Sequence, residues 1–206
     1  MVMAFWGAPL KDENHATHAV LAALSMLEIT EKLKEDFRRD GLPEINIGIG
    51  VNTGTMSVGD MGSNYRRAYT VLGDAVNLGA RLESITKFYG AKLLVGPATK
   101  QQATGIHFRL VDQIIVKGKS EPVKVYEPLG RVGEVREEVF VACEKHHSAL
   151  AAYYRQHWNA AAAIWRELQA AEGENLLYSI YLQRIEALEL SPPPADWDGT
   201  YIHSSK

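Results

Sequence analysis

Cysteine is almost absent from this chain: Cys143 stands alone among 206 residues. One thiol excludes an intrachain disulfide and suits a reducing compartment. No apolar run approaches the roughly 20 residues that a membrane-spanning helix needs. The N-terminus also lacks the charged-then-apolar order of a secretory signal. Basic excess is missing too, since the formal net charge is −3, and with it goes the electrostatic basis for nucleic-acid binding. The remaining balance, 46% hydrophobic and 23% charged, implies a cytoplasmic globular chain of one or two domains.

The opening stretch MVMAFWGAPL reads as a buried strand closed by a turn at Gly7, Ala8 and Pro9. A helix follows from HATHAV to the breaker Gly41-Leu42-Pro43, with Ala19, Leu21, Ala22, Leu24, Met26, Leu27 and Leu33 as its apolar face. EINIGIGVNTG alternates as a strand whose glycines imply close backbone approach or a twisted edge, and TMSVGDMG reads as its partner across a short turn. RRAYTVLG is another strand, and DAVNLGARLESITKFY a helix stopped at Gly90. A short strand AKLLVG, a short helix begun by Pro97 and a hairpin across KGKS complete this part. Strands and helices are mixed without strict alternation, which implies an α+β layer fold. From Glu134 to Leu190 strand signals vanish and alanine becomes dense, as in a run of helical hairpins that need neighbours to bury their faces. The Pro-led tail from Ser191 is expected to be irregular.

The stretch YTVLGDAVNLGARLES carries the chemistry. Asn77 and Arg81 are four apart, so both project from one face in the first turns of a helix. A neutral amide and a permanent cation near a helix N-terminus suit a polyanionic ligand. Other candidates read as structural. His15 and His18 have no carboxylate or cysteine cluster beside them and read as surface polar residues. His146 and His147 are adjacent on a helix and also read as surface. Trp158 and Trp165 read as packing knobs, and Cys143 as a small buried hydrophobe.

Five segments occur in order: VMAFWGAPL, HATHAVLAALSM, INIGIGVNTGTMSVGDMGS, YTVLGDAVNLGARLES and IIVKGKSEPVKVYE. On these the chain resembles, over residues 1–130, the catalytic domain of class III adenylate/guanylate cyclases of bacterial type. The resemblance implies a ferredoxin-like antiparallel sheet with helices over 1–131, lacking the family's first strand and helices. An all-α, TPR-like helical-hairpin extension over 132–190 and an irregular tail over 191–206 follow it. It implies conversion of ATP to cyclic AMP and pyrophosphate in a homodimer, a signalling activity using two Mg2+ or Mn2+ ions per site. Carried over by position, Asn77 orients the ribose and Arg81 stabilises the transition state. Thr70 reads the adenine amine, and Lys117 holds the terminal phosphates. The family's two metal aspartates and its base-reading lysine fall upstream of Met1. The isolated chain is therefore expected to be inactive, to expose a strand edge that recruits a second chain, and to belong with an upstream sensor or membrane domain. Gly79 stands where the family usually has alanine. The competing expectations are a non-catalytic, cyclase-like dimerisation or regulatory module, and a guanylate cyclase.

Overall fold

The computed structural model describes residues 2–63, 66–115, 121–194 and 196–202. They divide into two compact units, Met1–Thr86 with Lys92–Ile106, and Lys87–Ala91 with His107–Lys206.

In the first unit the expected opening strand does not form. Residues 2–6 have no strand conformation, and Val2, Met3 and Trp6 are exposed. A strand exists only through a neighbour's hydrogen bonds, and no described strand flanks this segment. The first helix, α1 (His15–Arg39), is where the sequence places it, but its inner face differs. Ala16, Ala19, Val20 and Ala23 are buried, whereas Met26, Ile29 and Leu33 are exposed. The spacing 16, 19, 20, 23 is itself helical, and small residues let the helix approach its support closely. His15 and His18 organise the helix entry. Nδ1 of His15 lies 2.9 Å from the Asp12 carbonyl, and Nδ1 of His18 lies 2.8 Å from the Asp12 carboxylate.

Strand β1 (Ile49–Val51) is short and pairs in parallel with β4 (Leu93–Val95), Gly50 opposite Leu94. Strand β2 (Ser57–Ser63) does not pair with β1, as its sequence suggests. It forms an antiparallel ribbon with β3 (Arg66–Leu72), Val58 opposite Val71 and Gly59 opposite Thr70. Only residues 64 and 65 separate these two strands, so their pairing closes a shorter loop than pairing with β1. Helix α2 (Asp74–Tyr89) follows β3, and α3 (Pro97–Gln102) follows β4 with proline in its first turn.

Gly50 sets how near α2 comes to β1. A Cβ there would overlap the Gly79 carbonyl oxygen and the Glu83 amide nitrogen, both backbone atoms that cannot rotate away. Gly79 is different. A Cβ on it would meet Asn52 at 3.8 Å and the Gly50 carbonyl at 3.9 Å, ordinary contact distances. Gly50→Ala should therefore cost about 3 kcal/mol through overpacking. Gly79→Ala should stabilise by up to about 1 kcal/mol through helix propensity. Urea unfolding of the two variants checks both signs; equal effects would refute the backbone contact.

In the second unit β5 (Ile106–Ile115) lies between β6 (Val123–Arg131) and β7 (Tyr201–Ile202). The tail is thus not wholly irregular: β7 pairs in parallel with the end of β5. Three helices complete the unit, α4 (Glu137–Tyr154), α5 (Trp158–Glu172) and α6 (Leu176–Leu190). Ala149 and Ala161 are fully buried between them, and Trp165 stacks on Tyr181 with centroids 4.5 Å apart.

His146 corrects the surface reading, because it is wholly buried. Trp165 can only donate, and its Nε1 lies 3.0 Å from His146 Nδ1. His146 therefore carries its proton on Nε2, which donates to the Leu110 carbonyl at 2.9 Å. The Leu110 N–H in turn donates to His147 Nε2 at 3.0 Å. Two neighbouring imidazoles complete both polar groups of one strand residue, as an adjacent strand would.

Burial holds the His146 imidazole down at a pKa of about 3, against about 6.5 in an unfolded chain. Between those values the unfolded chain binds the extra proton. Its contribution is fully present above pH 6.5 and fades on acidification by about 1.4 kcal/mol per pH unit. Comparing His146→Phe with the parent chain between pH 4 and 7 should show a shallower stability loss in the variant. Parallel curves would sink the assignment.

Candidate active site

The β3–α2 connection turns on one residue. Gly73 has φ +152°, a conformation that side chains disfavour, and a Cβ there would press on the Thr55 carbonyl at 3.3 Å. Its own carbonyl accepts the amides of Val76 and Asn77 at 3.1 and 3.2 Å, starting the helix. Asp74 puts a carboxylate in the first turn, the favourable sign for the helix dipole. A second grip comes from the loop after β1, where Asn52 Nδ2 donates to the Ala75 carbonyl at 2.9 Å. Beside it the hydroxyls of Thr53 and the buried Thr99 lie 3.0 Å apart.

These anchors hold α2 with Leu82 and Ile85 buried. Asn77 is exposed and Arg81 half-buried. The i, i+4 spacing sets their Cβ atoms about 5–6 Å apart on one face. Among the described residues no carboxylate pairs with the Arg81 guanidinium, and no side chain occupies the Asn77 amide. Thr70 lies on β3, half-buried, three residues before Gly73. Asn77, Arg81 and Thr70 thus sit on two consecutive elements of one unit. Lys117 lies outside the described residues. Sequence reasoning missed Asn52. Its only signal was the turn chemistry of Asn-Thr-Gly after β1, which does not name Ala75 as the partner.

An unpaired, partly sheltered guanidinium next to an amide near a helix start can bind a phosphate chain and neutralise charge that develops on it. Metal-binding capacity is a separate matter. Among the described residues one cluster of three donor side chains occurs, Cys143, Glu144 and His147 in the second unit. Burial pushes the Cys143 thiol up to about 11, and His147 Nε2 already accepts the Leu110 amide. Magnesium demands an oxygen-rich octahedron, so this set does not fit it.

Residues 1–127 match the family model described as the adenylate and guanylate cyclase catalytic domain. The chain belongs to this family, the class III nucleotide cyclases. Adenylate cyclase 1 of Rhizobium meliloti is 38% identical over 135 residues, 65% of this chain and 20% of that protein. A terminal-differentiation-specific adenylate cyclase of Dictyostelium discoideum is 33% identical over 188 residues, 85% of this chain and 9% of that protein. The solved adenylyl cyclase CyaB from P. aeruginosa superposes with TM-score 0.54 at 32% identity, covering 60% of this chain and 64% of that one. The matched region is thus a fifth or less of the two curated relatives. Among the described residues no helix is long and apolar enough to cross a membrane.

Proposed function

We propose that this chain supplies the transition-state half of an adenylate cyclase site, converting ATP to 3′,5′-cyclic AMP and pyrophosphate. The observation that carries the reading is Arg81, a guanidinium without a described carboxylate partner, one turn from Asn77 at the start of a helix whose position is fixed by backbone contact. Arg81 binds the α-phosphate as the ribose 3′-oxygen bonds to it and the bond to the pyrophosphate oxygen breaks. Asn77 holds the ribose, and the Thr70 hydroxyl accepts the adenine exocyclic amine. Lys117 holds the terminal phosphates. The divalent ions that the family uses would, when bound, supply charge to neutralise the attacking and leaving oxygens. In the family's dimers one subunit presents the metal carboxylates and the other the Asn/Arg pair, so carboxylates from a partner subunit would complete the site at Asn77 and Arg81. The working unit is then a dimer, with a sensor or membrane domain elsewhere in the parent protein and the site on the cytoplasmic side.

Complementation tests this reading. The chain is mixed with a related catalytic domain that keeps its metal carboxylates but is substituted at its own Asn and Arg positions. Cyclic AMP formation with Mg2+ or Mn2+, by the mixture and by neither component alone, is the expected result. A demonstrated heterodimer that remains silent overturns the roles of Asn77 and Arg81. GTP in place of ATP should give a much lower rate; equal rates would remove Thr70 as an adenine reader.

A further inference from the structure

The last described residues are seated on the second unit as a separate ligand would be. Trp197 packs edge-on against Tyr153 and Trp158, with centroids 5.3 and 5.8 Å away. Gly199 is buried at φ +81°, and a Cβ on it would overlap the Tyr154 ring. Gln113 Nε2 donates to the Thr200 hydroxyl at 2.9 Å and to the Asp198 carboxylate at 3.3 Å. Tyr201 lies 3.7 Å beneath the Arg184 guanidinium and stacks on Phe88, 6.3 Å away and 17° from parallel. Two residue pairs, Ile114 with Tyr201 and Ile115 with Ile202, add the tail to the sheet. An extended segment with aromatic anchors joining a strand end is the geometry of peptide recognition by strand addition.

We infer that residues 196–202 are a detachable intramolecular strap, whose docking holds the last turn of α2 in place. Two routes run from Tyr201 to that turn. One is the direct stack on Phe88. The other passes through Arg184, whose Nη1 donates to Asp112 at 2.7 Å, and Asp112 accepts the Tyr89 hydroxyl at 2.6 Å. Phe88 and Tyr89 are consecutive, so undocking loosens both at once. The seat is also incompletely satisfied. The Tyr154 hydroxyl and Arg184 Nη2 are buried without a described partner, a cost that undocking relieves by admitting water. Helix α2 also carries Asn77 and Arg81. Resting on the cyclase reading, docking of the strap then tunes turnover by stiffening the helix that presents them.

Hydrogen exchange decides this without reference to activity, so failure of the strap and failure of the cyclase reading remain separable. In the full chain carrying Gly199→Val, the amides of residues 86–90 should exchange about tenfold faster than in the parent, while those of α5 keep their rate. A synthetic peptide of residues 192–206, added to that variant, should slow them again; the same peptide with Tyr201→Ala should not. Full-length Tyr201→Ala serves if Gly199→Val also disturbs α5. Parental exchange at 86–90 with residues 200–202 deprotected overturns the proposal. So does a tail already unprotected in the parent chain.

Discussion

Replacing Arg81 with alanine should lower cyclic AMP formation in the complemented assembly by at least about 10²–10³-fold, with little change in stability. Both halves follow from the same geometry. The guanidinium makes no ion pair among the described residues, so none of those is stranded when it is removed. It is half-buried, one helical turn before the buried Ile85, and no described carboxylate competes with a ligand for its head group. Lysine should not rescue, because a point charge cannot span two phosphate oxygens as a planar fork does. Asn77→Ala should act on the same step without adding its full cost to that of Arg81→Ala, as groups that hold one transition state are not additive. The measurement is single-turnover rate beside thermal unfolding. An Arg81→Ala assembly retaining a tenth of the parental rate would falsify the assignment.

Asp112→Ala should cost about 3–5 kcal/mol, the largest stability effect expected in the second unit. The carboxylate is wholly buried and accepts from Tyr89 Oη at 2.6 Å, Arg184 Nη1 at 2.7 Å and the Gln113 backbone N–H at 2.8 Å, and it shares the Tyr181 hydroxyl proton, at 3.1 Å, with the Val111 carbonyl at 2.8 Å. Its removal strands the Arg184 guanidinium, whose side chain is 10% exposed, without its buried counter-charge. Burial, and then the Asp112 charge, push the Tyr89 hydroxyl well above the ordinary phenol range, so it stays a neutral donor at any working pH. Asp112→Asn keeps the shape but not the charge and should still be strongly destabilised. Tyr89→Phe removes one donor and should cost about 1 kcal/mol. Urea denaturation orders the three; an Asp112→Ala midpoint equal to that of Tyr89→Phe would show that the ion pair does not matter.

Legibility in the sequence followed the range of each interaction. Helix α2 and its Gly90 terminus were readable because propensity, spacing and a positive-φ glycine (φ +68°) all act within a few residues. Asn77 and Arg81 were readable for the same reason, as neighbours on one helix face. The glycines of β1 left close approach and a twisted edge both open; close approach is what Gly50 makes, and nothing local named Gly79 as its partner. Partners far along the chain were not readable. Strand β1 joins β4, over 40 residues on, and Leu110 is completed by histidines 36 and 37 residues later. The inner face of α1 was misread because large apolar residues were weighted above small ones, whereas a closely packed helix buries its alanines. Asp112 went unnoticed because its partners include Tyr181 and Arg184, 69 and 72 residues away.

The imidazole closure at Leu110 bears on handling of the protein. A strand neighbour is indifferent to acid, but a proton on His146 Nδ1 removes the acceptor of the Trp165 indole N–H, although Nε2–H can still donate to the Leu110 carbonyl. Acid strong enough to charge His146 thus sets two buried donors against each other, drives the ring from its seat and takes with it the cover of the strand's peptide groups. Acid elution or low-pH storage should therefore seed sheet-type aggregates, which thioflavin fluorescence would report, while the same protein held near neutrality remains dispersed.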